Sequence, residues 1–268
     1  MLVDKPAGIT SHDVVSVARR ALGTRRIGHG GTLDPFATGL LLVLIGRATR
    51  VQRFLMGLPK AYETTARLGW TSTTGDVDGE IAPGATPAEP FNLPTGIVRQ
   101  RPPAYSAVKV GGKRAYALAR AGEEVELAER EVLVSRFEER GRDGERAAFV
   151  IECGSGTYVR SLIAGLGDAY CLELRRTRIG PFEVADAGAF LPLADALGFL
   201  PAVQRGEEDA RRAAHGMAGA GAAPAATAPA GSGGPAQDVV RLLDADGLVA
   251  LAEPRGDGTL KPVVGFRG

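Results

Sequence analysis

An α+β fold, with one large domain and a small β-rich one behind it, is what this sequence predicts. Three observations carry that reading. The chain has 268 residues, of which 44% are apolar and 24% charged, a length and composition that allow a sizeable core and exclude both general disorder and a fibrous repeat. Helical periodicity near the N-terminus gives way to short apolar or alternating runs of the kind strands use. A stretch dominated by Ala, Gly and Pro at residues 213–236 then interrupts the pattern before three last strand candidates.

In order along the chain, Leu2-Val3-Asp4-Lys5-Pro6-Ala7-Gly8 reads as a strand running into a Pro/Gly turn, after which Thr10 or Ser11 caps a helix. Val14, Val17, Ala18, Ala21 and Leu22 form its apolar stripe, and Gly23 ends it. Next comes Arg26-Ile27-Gly28-His29-Gly30-Gly31-Thr32-Leu33-Asp34-Pro35-Phe36-Ala37-Thr38-Gly39, a loop that combines permissive glycines, a histidine and one carboxylate. Pro35 biases Asp34 toward an extended backbone, and the apolar run from Leu40 to Ile45 anchors the loop as a buried strand.

From Lys60, the segment Ala61 to Trp70 reads as a strand with Tyr62, Thr64, Ala66, Leu68 and Trp70 on one face. Asp76-Val77-Asp78-Gly79 opens like a calcium loop, but the twelfth position, where such a loop needs a glutamate, is Pro87. Residues 81–96 are Pro-rich and read as a surface connection. Between Arg99 and Arg120 lie Arg99, Arg101, Lys109, Lys113, Arg114 and Arg120, no acidic residue, and the rings of Tyr105 and Tyr116, a mixture that suits phosphate contacts and base stacking. Phe149, Ile151 and Cys153 alternate as a strand, and Gly154-Ser155-Gly156 turns it into a helix starting near Thr157. Beyond the Ala/Gly/Pro stretch, Val239–Leu243, Leu248–Ala252 and Pro262–Phe266 are strand candidates separated by Asp/Gly turns.

Net charge is +1 overall but segregated: residues 1–60 carry nine Lys/Arg against Asp4, Asp13 and Asp34, a local excess of six that favours a polyanionic partner. Cys153 and Cys171 fit neither a disulfide framework nor a Cys-x-x-Cys pair, and no run of about 18 apolar residues exists for a membrane span. A cytoplasmic protein, neither secreted nor membrane-embedded, is the expectation. No cofactor or metal is expected, because the chain lacks a Cys/His ligand cluster and a Gly-x4-Gly-Lys-Ser/Thr nucleotide loop.

The Asp34 stretch resembles the signature Gly-His-x-Gly-Thr-Leu-Asp-Pro-x-Ala-Thr-Gly of the TruB family of tRNA pseudouridine synthases. Five further segments resemble that family in the same order: Lys5-Pro6-x-Gly8-x-Thr10-Ser11, Lys60-Ala61-Tyr62 with Arg67-Leu68-Gly69, the run Thr71-Ser72-Thr73-Thr74-Gly75-Asp76 beside the family's Thr-x-Thr-Gly-Asp, Pro102 to Tyr116, and Gly156-Thr157-Tyr158-Val159-Arg160-Ser161-Leu162 with Leu174 to Phe182 behind it. The resemblance implies a pseudouridine synthase-like catalytic domain over residues 1–207, with a central mixed, mainly antiparallel sheet flanked by helices and an RNA-clamping insertion within about 81–145. A linker at 208–237 and a small PUA-like segment at 238–268 complete the expected organisation.

It also implies a reaction, the isomerisation of uridine-55 to pseudouridine in the tRNA T loop by base flipping. Asp34, Tyr62 and Arg160 are implied as catalytic: Asp34 attacks the anomeric carbon or the uracil ring or abstracts a sugar proton, Tyr62 stacks on the extracted base, and Arg160 orients Asp34 and depresses its pKa. His29, Lys5, Asp76, Tyr105, Lys109, Arg114 and Leu174 are implied as substrate-binding, with Leu174 an apolar wall of the base pocket. Ser155 departs from the pattern, standing where many members carry a lysine. The implied partner is the T stem-loop of tRNA, with no obligate protein partner and a monomeric chain. Two alternatives remain open: action on another RNA, and an RNA-binding or tRNA-folding module without catalysis.

Overall fold

A computed structural model of the chain describes residues 1–221 and 239–267. Its main element is a nine-stranded sheet in the order Leu2–Lys5, Thr38–Ile45, Ala169–Ile179, Lys60–Leu68, Arg146–Cys153, Arg130–Asp143, Gly96–Gln100, with Ile27–His29 and Phe182–Glu183 paired to two of these strands. Only the contact between Thr38–Ile45 and Ala169–Ile179 is parallel, so the sheet is mixed and mainly antiparallel, as expected. That parallel register sets Arg176 opposite Gly39 and so joins the strand after the Asp34 loop to the middle of the sheet.

Thr38–Ile45 is buried along six of its eight residues, as the unbroken apolar run predicts. Lys60–Leu68 alternates: Tyr62, Thr64, Ala66 and Leu68 face the core, whereas Glu63 is exposed and Thr65 and Arg67 are half-buried. Trp70 does not continue that face, because Gly69 at φ 76° breaks the strand and starts a separate one at Trp70–Ser72.

The first helix, Ser11–Leu22, opens with a capping box between Thr10 and Asp13 and closes at Gly23 in the left-handed region. Its buried face is Ser11, Val14, Val15 and Ala18, which corrects the expected stripe: Val17 and Leu22 are exposed. The difference arises at Ser11, a polar residue that periodicity leaves out but that is buried because its hydroxyl bonds both the N–H and the carbonyl of Leu33.

Two boundaries also move. Gly96–Gln100 and Arg130–Asp143 are strands of the main sheet, so the expected insertion leaves that sheet only in residues 81–95, where Ile81–Pro83 pairs with Trp70–Ser72, and in the residues between the two strands. A second sheet, in the order Ala202–Gln204, Val240–Asp244, Gly247–Pro254, Thr259–Gly265, Gly219–Ala220, begins well before residue 238. The helix Glu207–Ala214 occupies the start of the expected linker and buries Ala210 and Ala213 against Val240, Leu242 and Leu260. The remainder of the Ala/Gly/Pro stretch, from residue 222 on, lies outside the described residues.

The two sheets share a core. Leu251 of the second sheet and Phe266 just after its last strand pack in one cluster with Leu2, Leu42 and Ile179 of the first sheet and with Phe54 of the helix Gln52–Met56. Arg50 Nη1 donates to Gly265 O at 2.7 Å and Arg53 pairs with Glu253 at 3.3 Å across the same seam. No helix among the described residues is long and apolar enough to cross a membrane.

Candidate active site

The site forms where the Asp34 loop crosses the end of the main sheet, and the N-terminal strand and turn hold that loop in place. Lys5 is wholly buried, and its ammonium donates to the carbonyls of Pro6 (2.8 Å), Ile9 (2.8 Å) and Pro35 (3.1 Å). Gly8 N donates to Pro35 O at 2.9 Å, and Ser11 clamps Leu33 on the other side of Asp34. Lys5 is therefore a tie beneath the loop, and the expectation that it contacts substrate is corrected: its three donors are spent inside the protein.

Behind the loop lies Arg176, 1% exposed, with Nε on Leu40 O (2.8 Å), Nη1 on Thr32 O (3.2 Å) and Nη2 on Gly31 O (3.2 Å). Its backbone approaches so closely that a Cβ on Gly39 (φ 105°) would stand 2.3 Å from the Arg176 carbonyl oxygen. Only glycine fits there.

Asp34 Oδ2 accepts from Arg160 Nε at 2.9 Å, while the side chain keeps 29% of its exposure. The other two guanidinium nitrogens of Arg160 are fixed as well, Nη1 on Thr74 O (2.6 Å) and Nη2 on Tyr105 O (2.9 Å). Asp76, buried, lies 3.4 Å from Arg160 Nη1 through Oδ2, and its Oδ1 accepts from Thr74 Oγ1 and Asp78 N. It braces Arg160 and does not open to the cleft, which corrects its expected place among substrate contacts.

Burial pushes the Asp34 carboxyl above the ordinary aspartate range, helped by the nearby Asp76; Arg160 and Arg176 oppose this without overcoming it. The expectation that Arg160 sets a depressed pKa thus fails on desolvation. Burial likewise raises the Tyr62 phenol to about 12, so that it stays protonated at neutral pH. His29 is held below the usual histidine range, first by burial and then by Arg176, and is neutral there. Among the described residues its Nδ1 is buried without a hydrogen-bond partner.

Asp34, Tyr62, His29, Arg114 and Leu174 line one open cavity of about 510 Å³, together with Lys60, Arg176 and the Gly154–Tyr158 loop that presents Ser155. Of the remaining predicted contacts, Tyr105 reaches the site through its backbone carbonyl on Arg160. Lys109 stands exposed on the short hairpin Lys109–Val110/Lys113–Arg114, away from the cavity lining. Lys60 and Arg176 are the charged cavity residues that sequence reasoning did not single out. Both sat inside quoted segments, but nothing in a sequence marks a cation as buried. The cavity offers a carboxylate with one oxygen unclaimed by Arg160, an adjacent protonated phenol and an apolar wall, a combination able to hold a planar ring beside a general base or nucleophile.

Comparison with known proteins bears on this geometry. A family model described as TruB family pseudouridylate synthase (N terminal domain) matches residues 19–159. A protein of Thermobifida fusca called tRNA pseudouridine synthase B is 44% identical, covering 100% of this chain and 98% of its own length. One of the same name from Rhodococcus jostii is 49% identical over 73% of this chain and 70% of its own. Among solved structures, a chain in a crystal structure of a Cbf5–Nop10–Gar1 complex superposes with a TM-score of 0.65 at 27% identity, over 94% of this chain and 78% of that one.

Proposed function

Because the chain belongs to the TruB family of pseudouridine synthases, we propose that it isomerises uridine-55 to pseudouridine in the T loop of tRNA, with Asp34 as the essential carboxylate. The observation that carries this reading is the Asp34–Arg160 pair, 2.9 Å apart, opening onto the same cavity as Tyr62.

The reaction breaks the bond from uracil N1 to ribose C1′, turns the ring and rejoins it through C5, with no net oxidation or hydrolysis. Asp34 supplies the ionised oxygen, acting on the sugar or the ring; Arg160 fixes its direction and leaves the other oxygen free. Tyr62 and Leu174 would bracket the ring, the phenol giving a face and a proton donor while Leu174 excludes water. Reaching a base inside a folded T loop requires extrusion, at a cost of a few kcal/mol. Neutral His29, on the cavity wall, suits the space a flipped nucleotide vacates. Arg114, on the cavity lining, and the exposed Lys109 of the same hairpin are suited to phosphates of an RNA bound over the cavity. Residues from Ala202 on, carrying the second sheet, would add RNA-binding surface to a catalytic unit formed by the main sheet.

Asp34→Asn tests the assignment. The amide keeps the shape and can still accept from Arg160, so fold and tRNA affinity should persist while pseudouridine formation disappears. Turnover within about tenfold of wild type, in a preparation free of host enzyme, would remove Asp34 from the chemistry and favour an RNA-binding or tRNA-folding role. A wild-type protein active only on an RNA other than tRNA would overturn the substrate.

A further inference from the structure

Charge around Asp34 is unbalanced. Four buried cations surround the loop and cavity floor, Lys5, Lys60, Arg160 and Arg176, against two carboxylates, Asp34 and Asp76. Arg160 engages both carboxylates. Among the described residues, Lys5, Lys60 and Arg176 have no acidic side chain within ion-pair distance. Taking a cation out of water without a counter-ion costs several kcal/mol, so an excess of this kind calls for an explanation.

Lys5 spends its three donors on carbonyls under the loop, and each guanidinium nitrogen of Arg176 is on a carbonyl. Lys60 differs. Its ammonium, on a residue 7% exposed, donates to Met56 O and Leu58 O, each at 2.5 Å, and has a third proton with no acceptor among the described residues. Lys60 and Tyr62 are two apart on one strand, which turns both side chains to the same side, and both line the cavity with Asp34. Burial, and then Arg176, bring its ammonium down to about 8, so the charge persists at neutral pH without a partner to stabilise it. Satisfying the carbonyls of Met56, at the end of the helix Gln52–Met56, and of Leu58 just beyond it explains two of its hydrogen bonds but neither the spare proton nor the burial.

We infer that Lys60, backed by the fixed charge of Arg176, takes up the negative charge that uracil acquires when its bond to ribose breaks. This rests on the pseudouridine synthase reading. The C1′–N1 bond breaks with its electron pair passing to the ring, which becomes a monoanion spread over N1, O2 and O4, while Asp34 bonds to C1′ or removes the 2′ proton. Rejoining uses an electron pair from C5 to form C5–C1′; the C5 hydrogen leaves as a proton, N1 gains one, and Asp34 is released or returns its proton. The ring is anionic only between the two steps, so a cation placed for it stabilises that stage and not the bound substrate.

Lys60→Met and Lys60→Arg in the full chain test this on a T-stem hairpin carrying uridine or 5-fluorouridine at the target, with loss of the starting nucleoside followed under single turnover at saturating enzyme. Fluorine makes the ring the better leaving group. Lys60→Met should slow the uridine reaction by about 100- to 1,000-fold, the scale set by removing one donor to a developing anion. Affinity for the hairpin should hold, the loss should shrink at least severalfold on 5-fluorouridine, and Lys60→Arg should recover much of the rate. Equal slowing on both nucleosides would overturn the inference in favour of a structural role. Weakened affinity with a shallower salt dependence and an unchanged bound rate would overturn it in favour of a phosphate contact. If Lys60→Met does not fold, Lys60→Gln takes its place under the same criteria. A wild-type protein that forms no pseudouridine in either hairpin or tRNA would instead fail the underlying reading.

Discussion

Replacing Lys5 by Met separates two readings of one residue. As a surface cation on a TruB-like segment it would grip a phosphate; in the structure it is 0% exposed and ties the N-terminal turn to Pro35, beside Asp34. Met keeps most of the stem's length and apolar volume and removes the charge and three donors. Three carbonyls lose their partner, at about 1–3 kcal/mol for each that stays dry. Part of this is returned, because removing an unmatched buried cation relieves a desolvation cost of several kcal/mol. The net destabilisation should be about 2–4 kcal/mol, and at about 2–4 °C per kcal/mol for a chain near this size the melting temperature should fall by about 5–15 °C. The slack enters next to Asp34, so the single-turnover rate should drop well below the melting transition while tRNA affinity and its salt dependence stay unchanged. Calorimetry together with filter binding at several salt concentrations reads both quantities. An unshifted melting temperature, with binding weakened severalfold and the salt slope reduced by about one phosphate, would refute the buried-tie argument.

A raised Asp34 pKa has a signed consequence: activity needs the carboxylate, so the acid limb of kcat/KM should lie above the ordinary aspartate value of about 3.9. A limb at or below that value would mean that Arg160 outweighs burial. Gly39→Ala should abolish the folded site, since its Cβ would meet the Arg176 backbone at 2.3 Å, whereas Gly46→Ala, also at positive φ but with nothing within 4 Å, should cost only about 1–2 kcal/mol and remain active. Similar melting temperatures for the two variants would contradict the close packing of Gly39 on Arg176.

What could be read in the sequence divides along physical lines. The Asp34 loop was legible because its determinants are local: glycines, a proline and an apolar strand within about twenty residues. Arg160, 126 positions away, was reachable only through resemblance, because no periodicity links a helix residue to a loop that distant. Periodicity misjudged the first helix for a related reason. It scores apolar side chains, while the strand Thr38–Ile45 and the Leu33 backbone select the face that carries Ser11.

Charge was the least legible property, and the errors share one cause. A lysine in a sequence reads as a solvated cation, since that is where most lysines are. Lys5 and Lys60 are instead drawn inward by backbone carbonyls at turns and a helix end, Pro6, Ile9 and Pro35 in one case and Met56 and Leu58 in the other, which are gathered as acceptors only once the chain is folded. The same folding step reverses the direction expected for Asp34. Arg160 is beside it as anticipated, but the walls that bring the two together also remove water, and for this carboxyl the loss of water outweighs the gain of the cation. Pairwise proximity is thus the wrong unit for judging this site. The relevant quantity is the whole set of charges around the loop, which holds two more positive than negative, and it is on that excess that the proposed role of Lys60 toward a transiently anionic ring rests.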